Sequence, residues 1–173
     1  MVSAGRFRIR QATPADADAA VVTLDRIWQQ AYPGLLPEAV LAAHAVRSRL
    51  DEQAELWRDL MAAGEYFWLV VDGESDDEIV GVANACIARD LDAPVALELA
   101  SIHLLGVAHG TGIADRLLQV AVGDAPAYLW VLDGNERAIA FYRRHGFELD
   151  GGRKTRDDLG VAEVRMVRTQ SPA

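Results

Sequence analysis

Ser101-Ile102-His103-Leu104-Leu105-Gly106-Val107-Ala108-His109-Gly110-Thr111-Gly112-Ile113-Ala114-Asp115 runs from an apolar strand through a glycine-punctuated turn into an amphipathic helix. Such a turn leaves several backbone N–H groups unpaired at the positive end of a helix dipole, an arrangement suited to a phosphate or pyrophosphate. Neither common nucleotide fingerprint fits. The dinucleotide pattern needs a third glycine where Asp115 stands, and the P-loop's Gly-Lys-Ser/Thr ending is absent, because Ile113 follows Gly112. The backbone alone is therefore expected to hold the anion.

Working outward, the composition bounds the answer. With 173 residues, 51% of them hydrophobic, and a mean hydropathy near zero, the chain reads as a single domain over 1–173, its core spanning about 6–168. No apolar run reaches the roughly 18–20 residues of a membrane span. The segment Met1 to Arg10 alternates Arg6, Arg8 and Arg10 without an apolar stretch, unlike a signal peptide. One cysteine, Cys86, excludes an internal disulfide, so a cytoplasmic location is expected. The net charge of −9 argues against a general nucleic-acid binder, which needs a basic surface. The same field would attract a cationic substrate, although acidic loops such as Glu74-Ser75-Asp76-Asp77-Glu78 also serve solubility.

The periodicity gives an order of elements. Arg6 to Gln11 alternates as a strand, and Thr13-Pro14 opens a helix whose apolar stripe is Ala17, Ala20, Val21, Leu24, Ile27 and Trp28. Tyr32-Pro33-Gly34 breaks it. A second helix follows Pro37, and Ser48 to Asp51 resembles a capping box for a third that stops near Gly64. Tyr66 to Val71 and Ile79 to Ala88 form a hairpin across the acidic turn, and Leu97 to Leu105 is the next strand. The helix after the glycine turn has Ile113, Leu117, Val120 and Ala121 as its stripe. A strand over Ala127 to Leu132, a helix from Asn135 to Gly146 and two strands over Phe147 to Arg153 and Val161 to Val167 complete an α/β domain.

A second segment, Asn135-Glu136-Arg137-Ala138-Ile139-Ala140-Phe141-Tyr142-Arg143-Arg144-His145-Gly146-Phe147, places Ala138, Phe141, Tyr142 and His145 on one helical face. Taken alone, Tyr142 reads either as core packing or as a phenolic proton donor near the anion site. The four histidines show no metal-ligand spacing, so no metal is expected. Cys86 reads as a buried thiol and Trp130 as core.

Together the two segments, with Asn-x-x-Ala-x-x-Phe-Tyr-x-x-x-Gly-Phe about twenty residues beyond the strand–turn–helix, closely resemble the GCN5-related N-acetyltransferase (GNAT) superfamily. The family's acetyl-CoA signature, Gln/Arg-x-x-Gly-x-Gly/Ala, is matched by His109-Gly110-Thr111-Gly112-Ile113-Ala114, departing only at His109. The resemblance implies a single-domain, mixed, mostly antiparallel sheet with splayed central strands flanked by helices. It implies that Ile102, His103 and Leu104 offer main-chain groups to the pantetheine arm and that His109 to Ala114 wrap the pyrophosphate. Asn135 would contact the pantetheine or hold the splayed strands, and Arg144 would reach the cofactor's phosphates.

For catalysis it implies Tyr142 as the acid that protonates the departing thiolate, with the Leu104 N–H polarising the carbonyl. Glu98 stands where family members place a general base, its other reading being a strand-end acid paired with a neighbouring arginine. His103 is the alternative base, or a core histidine. Trp28 and Tyr32 lie where the family lines its acceptor pocket. The expected function is acetyl-CoA-dependent transfer of an acetyl group directly to a primary amine of a small molecule or peptide, without nucleic acid or membrane as partner. A homodimer is common among such proteins. A catalytically weak acyl-CoA-binding sensor or interaction module on the same fold is the competing class, motivated by His109.

Overall fold

The computed structural model describes residues 5–170. Residues 1–4, the start of the segment read above as unlike a signal peptide, and 171–173, the end of the expected domain, lie outside the described residues. The elements are β1 (Phe7–Gln11), a 3₁₀ turn (Pro14–Asp16), α1 (Ala17–Ala31), α2 (Glu38–His44), α3 (Arg47–Ala62), β2 (Tyr66–Asp72), β3 (Glu78–Ile87), β4 (Leu97–Leu104), α4 (Ile113–Val122), β5 (Ala127–Leu132), α5 (Glu136–Arg144), β6 (Glu148–Arg156) and β7 (Val161–Arg168). They form one seven-stranded sheet in the order β1-β2-β3-β4-β5-β7-β6. Every neighbouring pair is antiparallel except β4 and β5.

That exception organises the molecule. β4 and β5 pair in register only at Glu98 and Tyr128. Beyond that point β4 continues for six residues along β3 alone, so the sheet opens into a wedge with Glu98 at its apex. A bulge assists the opening: Asn84 faces Ser101 while Ala85 faces Leu99, which makes Ala100 the extra residue on β4.

α4 straddles the wedge and has to grip both halves of the sheet. Ile113 and Leu117 pack with Val70, Val80, Ala83 and Leu105 on one side. Leu118 and Val122 pack with Leu99, Leu129 and Val131 on the other. The buried stripe is therefore wider than one row, and it corrects the expected stripe at Val120, which is 42% exposed. α1 covers the opposite face through Ala20, Val21 and Leu24 against Phe67, Leu69 and Val82.

Local chemistry fixes the ends. Thr13 N donates to the Asp16 carboxylate at 2.8 Å, closing the turn that leads into α1. α3 begins at Arg47 with Val46 as its cap residue, so Ser48 lies inside the first turn and the expected capping box there does not form. The acidic turn closes the β2–β3 hairpin with Asp76 and Asp77 both left-handed, at φ 50° and 56°, a conformation aspartate tolerates better than most residues. Trp130 is half-buried rather than core: its Nε1 donates to Asp90 Oδ2 at 2.7 Å, and Lys154 Nζ stands 4.1 Å above its ring. No helix among the described residues is long and apolar enough to cross a membrane.

Candidate active site

The ladder phase decides which main-chain groups enter the wedge. Leu105 N donates to Val80 O at 2.8 Å, one step beyond the Gly81–Leu104 pair. Alternation along an antiparallel ladder then turns the main chain of His103 toward β3 and those of Ile102 and Leu104 into the wedge. This corrects one expectation. His103 cannot offer main-chain groups there, and only its ring reaches the site. Leu104 is seated by Gly81, where a Cβ would stand 2.2 Å from Leu104 Cδ2, so only glycine lets the two strands close at that level.

At the wide end of the wedge lies the glycine turn. Gly110 and Gly112 adopt φ +74° and +79°, and nothing stands within 4 Å of a Cβ on either. The turn is pinned from within, since Thr111 Oγ1 donates to Ala108 O at 2.7 Å. His109 N donates to Gly106 O, whereas the N–H groups of Gly110, Thr111, Gly112 and Ala114 have no protein acceptor among the described residues. Free amides with open space before them at the N-terminus of α4 fit a pyrophosphate. The His109 ring points back to the strand: its Nε2 lies 3.1 Å from Leu104 O.

α5 delivers the phenol. Asn135 caps it, Oδ1 accepting from Ala138 N at 3.3 Å, and Gly146 ends it at φ +81°. Tyr142 is buried against Phe147 and Phe141. Burial, and then the neighbouring Tyr32, raise its pKa above that of a free phenol, so Tyr142 stays protonated. The His145 ring lies 2.7 Å from Asp115 Oδ1, tying the end of α5 to the first turn of α4. Arg144, exposed and stacked over Phe141 at 5.5 Å, therefore sits beside the turn.

Glu98 occupies the apex with its carboxylate fully engaged. Arg89 donates from Nη2 to Oε1 at 2.6 Å, from Nε to Oε2 at 3.1 Å and from its backbone N at 3.2 Å, and Tyr128 Oη adds 2.9 Å. Burial alone would raise its pKa, but the Arg89 and Tyr128 contacts override this and lower it. Of its two readings, the arginine partner is the one in the geometry. A carboxylate so saturated is a poor base.

On the face of the sheet opposite Tyr142, an aromatic layer closes the wedge. Trp28 meets Tyr32 edge-on at 5.2 Å, and Tyr32 meets the His103 ring at 6.4 Å. Burial, reinforced by His44, lowers the His103 pKa to about 4, so the imidazole is neutral near pH 7. The sequence reading missed His44, which stacks on Trp28 at 4.1 Å and holds Asp25 Oδ1 at 2.9 Å. It also missed Ser101 and Glu163 on this face. Two signals were available: Ser101 alternates with His103, and Glu163 is a lone acid in an apolar strand. Cys86 is half-buried, and burial raises its thiol pKa.

Comparison with known proteins agrees with this geometry. The family model described as the acetyltransferase (GNAT) family matches residues 23–147. A probable N-acetyltransferase of Mycobacterium tuberculosis is 24% identical over 174 residues, spanning 96% of this chain and 97% of its own. An uncharacterized N-acetyltransferase of the same species is 29% identical over 150 residues, 83% of this chain and 89% of its own. Among solved structures, the PaiA N-acetyltransferase of Thermoplasma acidophilum, in complex with coenzyme A, superposes with a TM-score of 0.71 at 18% identity, over 94% of this chain and 98% of that one. A phosphinothricin acetyltransferase of Sinorhizobium meliloti, in complex with acetyl-CoA, gives 0.63 at 21% identity, over 96% and 89%.

Proposed function

This chain belongs to the acetyltransferase (GNAT) family, and from that premise we propose that it is an acetyl-CoA-dependent N-acetyltransferase acting directly on a primary amine. The observation that carries the reading is the wedge. Its strand presents the main-chain groups of Ile102 and Leu104, its wide end holds the open glycine turn, and a protonated tyrosine flanks it. Ile102 and Leu104 would hold the pantetheine arm, and the amides from Gly110 to Ala114, with Arg144 beside them, the pyrophosphate. Bound acetyl-CoA supplies a thioester activated for acyl transfer.

The roles of the chain's own groups follow from their placement. The Leu104 N–H faces the wedge and donates to the oxygen on which charge develops. Tyr142 keeps its proton until a thiolate needs it, a match between a raised phenol and a leaving group that departs as an anion. Glu98 keeps the apex closed and takes no proton. The amine instead loses its proton to the environment, because the desolvation that leaves His103 neutral also disfavours an ammonium ion. The His103 lone pair is the nearest relay to water.

The test is thiol release from acetyl-CoA with a panel of cationic and neutral amines, alongside calorimetry of acetyl-CoA binding. Binding together with amine-dependent thiol release is expected. Absence of acetyl-CoA binding would overturn the reading.

A further inference from the structure

Three buried side-chain polar atoms among the described residues make no hydrogen bond: Trp28 Nε1, Ser101 Oγ and Glu163 Oε2. Such atoms are uncommon in folded proteins, because each costs the desolvation of a polar group without a partner. Here they gather around one ring. Trp28 touches Tyr32 directly. Ser101 stands two residues before His103, on the same side of β4, and the His103 ring meets Tyr32. The Glu163 carboxylate acts on Tyr32 across the wedge, adding to the burial that raises the Tyr32 phenol to about 12.

Glu163 is the most informative of the three. It is 8% exposed and lies on β7 opposite Leu132 of β5, on the sheet face covered by Trp28, Tyr32 and Leu36. Its cations reach it from β6, on the other side of β7: Arg156 Nη1 is 3.4 Å from Oε1 and Lys154 Nζ 3.7 Å from Oε2. Lys154 is at the same time engaged over the Trp130 ring. Oε2 is thus paired in charge and still lacks a hydrogen-bond donor.

The three atoms have a defined polarity. An indole N–H only donates, a hydroxyl does both, and a carboxylate only accepts. We propose that Trp28, Ser101 and Glu163 form a polar subsite for the acetyl acceptor, and that the acceptor carries, besides the reacting amine, a second hydrogen-bond donor that Glu163 receives. This rests on the acetyl-transfer reading. A simple alkylamine leaves Oε2 buried without a donor, whereas a diamine or an amino alcohol of the same length supplies one.

The experiment compares butylamine, 4-aminobutan-1-ol and 1,4-diaminobutane as acceptors for the full-length protein, by steady-state thiol release from acetyl-CoA. The expected kcat/KM for the diamine and the amino alcohol exceeds that for butylamine by about 30-fold or more, because a site built to receive a donor discriminates against analogues lacking it. Glu163→Gln is expected to narrow the ratio to within about threefold, since the neutral amide accepts more weakly. Trp28→Phe keeps the ring and removes the N–H, and is expected to raise the diamine KM about 5- to 10-fold with kcat held. Calorimetry of acetyl-CoA binding confirms that each variant is folded.

A thermal-shift titration with 1,4-diaminobutane reads the subsite without turnover. It is expected to stabilise the wild type and not Glu163→Gln. Equal kcat/KM for butylamine and the diamine, or a ratio unmoved by Glu163→Gln, overturns the subsite while acetyl transfer stands. Glu163-dependent binding of the diamine without thiol release from any amine overturns acetyl transfer while the subsite stands. No thermal shift with the diamine and no thiol release overturns both.

Discussion

Arg89 clasps both carboxylate oxygens of Glu98, Nη2 to Oε1 at 2.6 Å and Nε to Oε2 at 3.1 Å, at the one point where β4 and β5 still pair. The contact sets the apex of the wedge, and everything the wedge does depends on where its apex is. Glu98 is buried to 4% exposure, so removing its partner strands a charge, whereas neutralising it removes a constraint on two strands.

Glu98→Gln is therefore expected to destabilise the fold by about 1–3 kcal/mol, the cost of losing charged hydrogen bonds at a buried site, and to leave the shape of the pH–rate profile intact. In the folded state the Glu98 pKa is lowered below its unfolded value of about 4.3. The pair's contribution is thus present above that value and lost as pH falls through the folded pKa. Chemical denaturation from pH 3 to 7 checks the first part. Loss of the profile's basic limb in Glu98→Gln would return the carboxylate to the role of base.

Tyr142→Phe is expected to lower kcat by about 10- to 100-fold, at or below the usual range for a general acid, with acetyl-CoA affinity unchanged. The phenol is buried and protonated, and its ring makes the packing contacts, which phenylalanine preserves. Steady-state kinetics and calorimetry on the same preparation separate the two effects.

His103 carries a pH signature of its own. Its pKa falls from an unfolded value near 6.5 to about 4 in the folded protein, so between these limits the unfolded chain binds more protons. Stability is full above about pH 6.5 and is lost as pH drops toward 4, by up to about 3 kcal/mol from this one group. His103→Leu is expected to flatten that part of the stability curve, as read by urea midpoints at pH 4.5 and 7. An unchanged slope would mean that the imidazole is hydrated.

How much of this was legible in the chain depended on sequence distance. Gly110, Gly112, Asn135 and Tyr142 declare themselves because turn chemistry and helix caps are decided by residues a few places apart. The apex was half legible. Glu98 stood out as an acid at a strand start, but its partners Arg89 and Tyr128 are 9 and 30 residues away, and only the sheet order brings Tyr128 to it. Val120 was misplaced for a tertiary reason, since a helix bridging two diverging half-sheets needs a buried face wider than a single stripe. Trp28 and Tyr32 were visible as aromatics near a helix break. The His44 stack was not, because it depends on how α2 folds back on α1. Glu163 hid in an edge hairpin whose facing is set by register.

Gly112→Ala is expected to cost about 1–2 kcal/mol, because alanine must adopt a left-handed conformation there, and to weaken acetyl-CoA binding about tenfold or more by placing a methyl in the open space before the free amides. Gly151→Ala is the control. Gly151 has φ +88° and open surroundings but lies in β6, away from the turn. Equal stability losses with unequal losses of acetyl-CoA affinity are the expected pattern.

His109 joins the two halves of the cofactor site. A carbonyl can only accept, so the contact with Leu104 O fixes the proton on Nε2 and spans from the wedge strand to the residue before Gly110. Leu104 O faces into the wedge, and left open it would compete with the thioester oxygen for the same donors. His109→Ala is therefore expected to weaken acetyl-CoA binding about 3- to 10-fold, the range for one lost hydrogen bond. His109→Gln, which restores a side-chain donor and matches the family signature, is expected to recover most of that loss. Calorimetry of the three proteins decides it, and an alanine variant with wild-type affinity would reduce His109 to a surface residue.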